Sequence, residues 1–356
     1  MDPATHTQAT QKALQLASQR QNVPIELMKN AVKEMASEHA SAPLTAALLA
    51  ALTTKGESSE EIEATARVLR ERGIKLKLTA GIRSQDLLDN CGTGGTGQSL
   101  FNCSTCSAVI AAAAGVKVAK HGNRTNTRAS GSADLLEQAG INLDMQPDQA
   151  ALCLQQTGLT FLFAPAFHPS MRYVGPVRRE IGIKSIFNLV GPLANPANAG
   201  RQVLGLFSAE RLQPMATALQ RLGTQKALVL HSEDGLDEIS PIAPTLAIEI
   251  TATGTMQQHR IQPEHYIKPV QLVQLKIHSV AESLHMIKQV LSGQLDHPAS
   301  AMVALNAGAA LWIGGRCNTL GDGVELARST IASGDGMQVL NQLAQLSHQT
   351  PNSEKS

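Results

Sequence analysis

The chain has 356 residues, 43% of them hydrophobic and only 3% aromatic, with 28 Gly and 16 Pro. Thirty basic against 29 acidic side chains leave a formal charge of +1, which excludes a globally basic nucleic-acid binder and a largely disordered chain. Length and apolar content allow a sizeable core in two structural units of a soluble α/β protein.

The five cysteines (Cys91, Cys103, Cys106, Cys153 and Cys317) are odd in number and thinly spread. A reducing, cytoplasmic setting is therefore expected rather than a disulfide framework. The opening MDPATHTQAT shows neither the basic nor the apolar segment of a signal peptide. The charge-free stretch 149–171 carries Gln, His and Pro, so no membrane partner is expected.

Residues 11–72 read as helices. Ser58 followed three residues later by Glu61 has the form of a capping box, Ile62, Ala66 and Leu69 recur at helical spacing, and Gly73 suits the C′ position. The run Pro43–Leu52 is apolar on most of its circumference and needs cover from other helices or from a second copy, so the apolar helices near Leu48 are a candidate homodimer surface. After Gly81 short apolar runs alternate with glycine turns and helical patterns, at 86–90, 116–119, 159–163, 203–207 and 227–230, as in a partly parallel sheet. The stretch 246–278 turns polar and β-branched, which suggests a hairpin or mixed-sheet excursion. Helices resume near Ser279, which with Glu282 again has the capping-box form, and 300–313 reads as a small-residue core helix ending at Gly314–Gly315. The fold class is thus α/β: a helical N-terminal domain over 1–80, with about 181–196 packing on it, then an α/β domain over 81–345 with a central mixed, mostly parallel sheet, and a flexible tail over 346–356.

The chemistry concentrates after Leu87, where LLDNCGTGGTGQSLFNCSTC runs from a strand into a glycine turn and then a helix whose start is marked by Asn102 and Ser104. Glycines let the backbone approach a phosphate, and free amides at a helix start point positive charge at it. No Asp or Glu occurs from Asn90 to Ala133, while Lys117, Lys120, Arg124 and Arg128 do, so the segment reads as an anion site. Gly92, Gly94 and Gly97 match the dinucleotide spacing. The next strand, however, ends in Lys120–His121 where that fingerprint needs an acid for the ribose. No Gly-Lys-Ser/Thr follows either, so a nucleotide P-loop is excluded.

These motifs together resemble the anthranilate phosphoribosyltransferase family. The resemblance rests on GTGG at 92–95, Asn102-x-Ser104-Thr105, KHGNR at 120–124, GSAD at 131–134, HPSM at 168–171, PVRREIG at 176–182, IFNLVGPLANP at 186–196 and DGLDEIS at 234–240. It implies the nucleoside phosphorylase and phosphoribosyltransferase type of fold and transfer of a phosphoribosyl group from 5-phosphoribosyl-1-pyrophosphate to anthranilate in tryptophan biosynthesis. The implied magnesium, two ions, would be held by Ser104, Asp237 and Glu238. The implied donor-binding residues are Gly92, Gly95, Thr96, Asn102, Cys103, Ser104, Thr105 and Lys120, then the loop His121, Gly122, Asn123, Arg124, Thr125, Asn126, Thr127, Arg128, and Ser132. Anthranilate falls to Gly92, Asn123 and Arg178, with His121 and His168 shaping its site.

On the residues alone, Asp237–Glu238 is also a solvated acidic turn, Arg178 a surface ion-pair residue, and each histidine a hydrogen-bonded core group. Cys103 and Cys106 form a C-x-x-C without a second pair or a redox context, and read as core packing. Three positions depart from the family pattern, all beside the donor site: Thr96 replaces Asp, Leu100 replaces Thr, and Thr125-Asn126-Thr127-Arg128 replaces Ser-x-Ser-Ser. A pyrimidine nucleoside phosphorylase or a relative with another acceptor shares the fold, and a non-catalytic nucleic-acid-binding paralogue is a different class. The former has no need of Asp237–Glu238 as a metal pair, and the latter should be strongly basic.

Overall fold

The computed structural model describes residues 7–125 and 129–349. The first helices are α1 (Gln8–Ser18), α2 (Ile25–Met35), α3 (Ala42–Lys55) and α4 (Ser59–Arg72). The expected capping box is made: Glu61 N donates to Ser58 Oγ at 3.3 Å and Ser58 N to Glu61 Oε2 at 2.8 Å. Glu61 does more than cap, since its buried carboxylate also takes Val23 N at 2.8 Å and Lys55 Nζ at 2.9 Å, tying the start of α4 to the chain before α2. Gly73 differs from expectation. It is extended (φ −70°) rather than left-handed, and a Cβ there would lie 2.8 Å from the His168 ring, so glycine serves a close approach instead of a turn.

The α/β part follows as β1 (Leu88–Asp89), α5 (Cys103–Ala113), β2 (Val118–Gly122), α6 (Ser132–Gln138), α7 (Pro147–Thr157), β3 (Leu159–Phe163), α8 (Ala164–Phe167), α9 (Met171–Ile181) and α10 (Ile186–Val190). It continues with β4 (Arg201–Gly205), α11 (Leu212–Arg221), β5 (Lys226–Ser232), the hairpin β6 (Thr245–Ile250) and β7 (Met256–Ile261), then α12 (Val280–Leu291), α13 (Pro298–Ile313), α14 (Leu320–Ser333) and α15 (Asp335–Leu346). The sheet order is β3-β2-β1-β4-β5-β6-β7, parallel from β3 to β5 and antiparallel beyond. The mixed, mostly parallel sheet and the hairpin excursion are as the sequence suggested.

Burial on both faces explains the continuous apolar strands. Leu228 and Leu230 face one core with α5 and α12–α15, while Ala227 and Val229 face the other with α11. That second core runs without interruption into the helical domain, joining Met215 and Leu219 to Leu48, Leu52, Ile62 and Val68 and to Ile186, Leu189 and Leu193 of the return segment. The apolar run of α3 is thus covered within the chain, since Leu48, Leu49 and Leu52 are fully buried, and these side chains are not open to a second copy.

The small-residue helix α13 crosses α14 at a glycine contact. A Cβ on Gly323 would overlap the Gly308 carbonyl oxygen, and one on Gly308 would stand 2.7 Å from Val324 N. Overpacking two backbones that cannot separate costs about 1–3 kcal/mol. Gly323→Ala should lower stability by that amount in urea denaturation, and an unchanged midpoint would show that the helices have room to part.

Candidate active site

In an open parallel sheet, ligands bind outside the carboxyl ends of the strands where the strand order reverses. Here the reversal lies between β1, flanked by β2, and β4, flanked by β5. Beyond the last paired residues the two chains stay in contact through a Gly92–Gly205 bridge, with Thr93 N donating to Gly205 O at 2.9 Å. Neither position admits a side chain. A Cβ on Gly92 would lie 2.5 Å from Asp237 Oδ2, and one on Gly205 would overlap the Asp237 carbonyl oxygen. Two glycines therefore let the DGLDEIS loop after β5 fold over the strand ends and bring Asp237 to the glycine turn, where Gly94 N donates to Asp237 Oδ2 at 2.8 Å. Asn306 of α13 clamps that loop from below, donating Nδ2–H to Ile239 O at 3.0 Å and accepting from Ile239 N at 2.9 Å. Ser104, Asp237, Glu238, Asn90, Gly92 and Asn306 line one recess.

The turn itself is glycine-dependent, with Gly94, Gly95 and Gly97 all at positive φ. Thr96 lies within it, half-buried. α5 begins at Cys103 with Asn102 as its cap residue. The Asn102 side chain does not cap; its Oδ1 accepts from Ser130 Oγ at 2.6 Å and Ser283 Oγ at 2.8 Å, so it braces the loop before α6 against α12. Cys103 and Cys106 are fully buried, and burial pushes both thiols well above the ordinary range, so the helix-start effect does not activate them. Cys103 can serve a ligand only through its main chain. Thr105 is buried as well.

Lys120 is buried, and its ammonium donates to Asn90 O at 2.8 Å and lies 3.3 Å from Ser104 Oγ; burial lowers its pKa. It fixes the first residues beyond β1 against the start of α5. The basic count of the acid-free segment is less available than it looked. Lys117 donates to Gln155 O at 3.2 Å at the opposite end of β2, and Arg124 is paired with Asp134 and Glu137, both at 2.8 Å, just beyond the acid-free window. Gly122 ends β2 tightly against Ser132 and Phe161, Ser132 Oγ donates to Asn123 O at 3.3 Å, and Thr125 N lies 3.4 Å from Asp134 Oδ2. Asn126, Thr127 and Arg128 lie outside the described residues.

On the other wall, His121 and His168 meet edge to face with ring centroids 5.3 Å apart. His121 Nδ1 is 3.0 Å from Gly191 O, while its Nε2 is buried with no partner among the described residues. Burial, with the neighbouring ring, pushes His121 down to about 3; burial pushes His168 down to about 4. Both rings are neutral at physiological pH. Arg178 lies over the Phe187 ring at 5.7 Å, with Nη2 3.4 Å from Asn188 Oδ1 and Nε buried and unpartnered among the described residues. Burial lowers its pKa too.

The return segment 186–196 joins these walls. Gly191 touches His121, Asn188 touches Arg178, Leu193 O accepts from Arg70 Nε at 2.6 Å, and Asn195 Nδ2 donates to Asp89 Oδ2 and Ala119 O, both at 2.8 Å. Gly191–Pro192 and Asn195–Pro196 form a turn that is pinned at both ends. Asp89 was missed by the sequence reading. Fully buried, it takes Asn195 and His121 N, and burial raises it to about 6. Its signal was a lone acid ending an apolar strand, as Asn306 was the lone amide in a core helix.

Family models match both parts of the chain: a glycosyl transferase family helical bundle domain over residues 11–73 and the a/b domain of a glycosyl transferase family over 84–337. Fold and site thus define a glycosyl transferase of the two-domain, helical-bundle and α/β type. Anthranilate phosphoribosyltransferases from Hydrogenovibrio crunogenus and Thioalkalivibrio sulfidiphilus are 42% and 43% identical over 335 residues, covering 94% of this chain and 97% of each relative. The anthranilate phosphoribosyltransferase of Thermus thermophilus superimposes with a TM-score of 0.88 at 39% identity, covering 95% of this chain and 99% of that one. The Saccharomyces cerevisiae enzyme, solved in complex with PRPP and Mg, shares the fold with a TM-score of 0.85 at 24% identity, covering 97% of this chain and 98% of that one. The chain belongs to the anthranilate phosphoribosyltransferase family.

Gly205→Ala should displace the Asp237–Glu238 loop and abolish activity while the far-ultraviolet spectrum stays native; full activity would mean that the close approach is dispensable. The histidines make a second prediction. Between the ordinary value of 6.5 and their lowered values, the unfolded chain binds protons that the folded chain does not, so stability falls as pH drops below about 6.5. Asp89 acts oppositely between 3.8 and about 6, one group against two. Melting temperature should therefore fall from pH 7 to pH 5, and the double variant His121→Asn, His168→Gln should flatten the fall. A profile identical to that of the unaltered chain would contradict the assignment.

Proposed function

We propose that this protein joins the amine of anthranilate to C1 of 5-phosphoribosyl-1-pyrophosphate, releasing pyrophosphate, as a step of tryptophan biosynthesis in the cytoplasm. The reading is supported by the family membership. The observation that carries it is the meeting of the glycine turn with Asp237 at the strand-order reversal, an anion cradle beside an acidic pair. Gly95, the amides at the start of α5 and the chain from Lys120 to Thr125 would take the donor, and Gly92, Asn123 and Arg178 the acceptor.

Two carboxylates and a hydroxyl at one recess are too few for a closed protein cage but suit magnesium, which keeps waters and shares phosphate oxygens. Ser104, Asp237 and Glu238 would hold it, as two ions. When bound, it neutralises charge on the departing pyrophosphate. Arg178, half-desolvated with an Nε that has no partner among the described residues, offers the planar fork that a carboxylate accepts on both oxygens. The amine lone pair forms the new C1–N bond as the C1–O bond to pyrophosphate breaks, and the surplus amine proton leaves to solvent. His121 and His168 are bases too weak near neutral pH to take that proton early, so positioning of the two substrates carries the catalysis. A homodimer is proposed through the outer face of α3, where Ala42, Pro43 and Ala47 are exposed while the leucines turn inward.

Product formation by the purified protein from anthranilate, the donor and magnesium tests the reaction, and no product under these conditions would refute it. Arg178→Ala should raise KM for anthranilate by the equivalent of about 2–4 kcal/mol while leaving donor KM unchanged. An unchanged anthranilate KM would remove Arg178 from the acceptor site. Asp237→Ala and Glu238→Ala should each lower turnover and shift the magnesium requirement upward, whereas normal rates at low magnesium would overturn the ligand assignment.

A further inference from the structure

Lys184 lies in the turn between α9 and α10, outside every group of residues assigned above. Its main chain is anchored to the helical domain, where Lys184 O accepts from Thr53 Oγ1 of α3 at 3.1 Å. Its side chain crosses to the α/β domain. There Nζ donates to Gly95 O at 2.7 Å and stands 4.0 Å from the centre of the Phe207 ring. Phe207 N in turn donates to Thr93 Oγ1 at 3.1 Å, so the ring and the glycine turn are one unit. A Cβ on Gly95 would lie 3.0 Å from Lys184 Cε, and Gly95 therefore makes room for the lysine stem as well as adopting positive φ.

The turn has little rigidity of its own. Three glycines at positive φ lose more backbone freedom on ordering than any other residue, and that loss opposes ligand binding unless the protein has already met it. Two side chains hold the turn: Asp237 on Gly94 N and Lys184 on Gly95 O. Lys184 is also six residues after Arg178 and four before Asn188, so the same short segment reaches both the turn and the guanidinium.

We propose that Lys184 is a positioning residue: it straps the glycine turn to the segment carrying Arg178 and holds the turn's amides in register for the donor's pyrophosphate. The inference rests on the reading of Gly95 as donor-binding. It requires no contact between Lys184 and substrate. Cutting the strap loosens the turn and weakens the donor, whereas the Arg178 fork and its Asn188 partner stay in place. An exposed cation holding one carbonyl and one ring is a modest device, so the effect is about five- to tenfold rather than complete loss.

The test is calorimetric titration of 5-phosphoribosyl-1-pyrophosphate with magnesium into the full chain, Lys184→Met and Lys184→Arg, alongside melting temperatures and steady-state kinetics. Methionine keeps the stem and removes the charge and the donor; arginine keeps both. The Met variant should bind the donor about five- to tenfold more weakly and show the same shift in donor KM, with anthranilate KM and melting temperature unchanged and the Arg variant restored. Equal donor affinity in the unaltered chain and the Met variant would overturn the assignment, as would a loss matched by a lower melting temperature, which marks a role in the fold alone. If the unaltered chain itself fails to bind the donor, the donor-site reading falls and this inference with it.

Discussion

Three stretches of main chain meet at one point above the sheet, and only glycine permits it. Gly92 and Gly205 continue β1 and β4 past their pairing, and Asp237 lies directly on them, its peptide on Gly205 and its carboxylate on Gly92. Remove either hydrogen-for-methyl allowance and the loop after β5 must lift. The acidic pair would then leave the phosphate-cradling turn, and the recess shared by Ser104, Asp237 and Glu238 would open. Packing density in a protein interior leaves no slack for such a shift to be absorbed locally.

The second wall depends on a different device. The helical domain and the sheet share one apolar core through α11, so the two parts are bound as a unit on one side. The return segment, whose Ile186, Leu189 and Leu193 belong to that core, is held at the cleft by polar contacts as well: Arg70 to Leu193, Asn195 to Asp89, and Gly191 to His121. Buried polar groups that are satisfied specify one arrangement, because the alternatives leave them without partners. This accounts for Asp89 lying buried where no substrate is invoked: it fixes the end of β1, the His121 main chain and Asn195 in a single geometry.

Much of this was legible in the sequence wherever a pattern has a local cause. The capping box at Ser58, the strand Leu159–Phe163 and a hairpin within 246–278 follow from residue type and period, and they occur as read. The glycine turn and the acidic pair were legible as motifs. Their juxtaposition was not, since Gly94 and Asp237 are 143 residues apart and no periodicity links them. Gly73 shows the same limit: a glycine after a helix suggests a left-handed cap, but here the demand comes from the ring of His168, far along the chain. Arg124 shows it for charge, because an acid-free window says nothing about carboxylates that fold back from outside it.

The account as a whole claims that the donor sits outside the carboxyl ends of β1 and β4, between the glycine turn and the Asp237–Glu238 loop. A crystal structure of this chain with 5-phosphoribosyl-1-pyrophosphate and magnesium tests that most directly. The account predicts pyrophosphate oxygens on the amides of the glycine turn and of the first turn of α5, with metal density touching Asp237, Glu238 and Ser104. Pyrophosphate bound away from the glycine turn, or metal density without contact to either carboxylate, would contradict it.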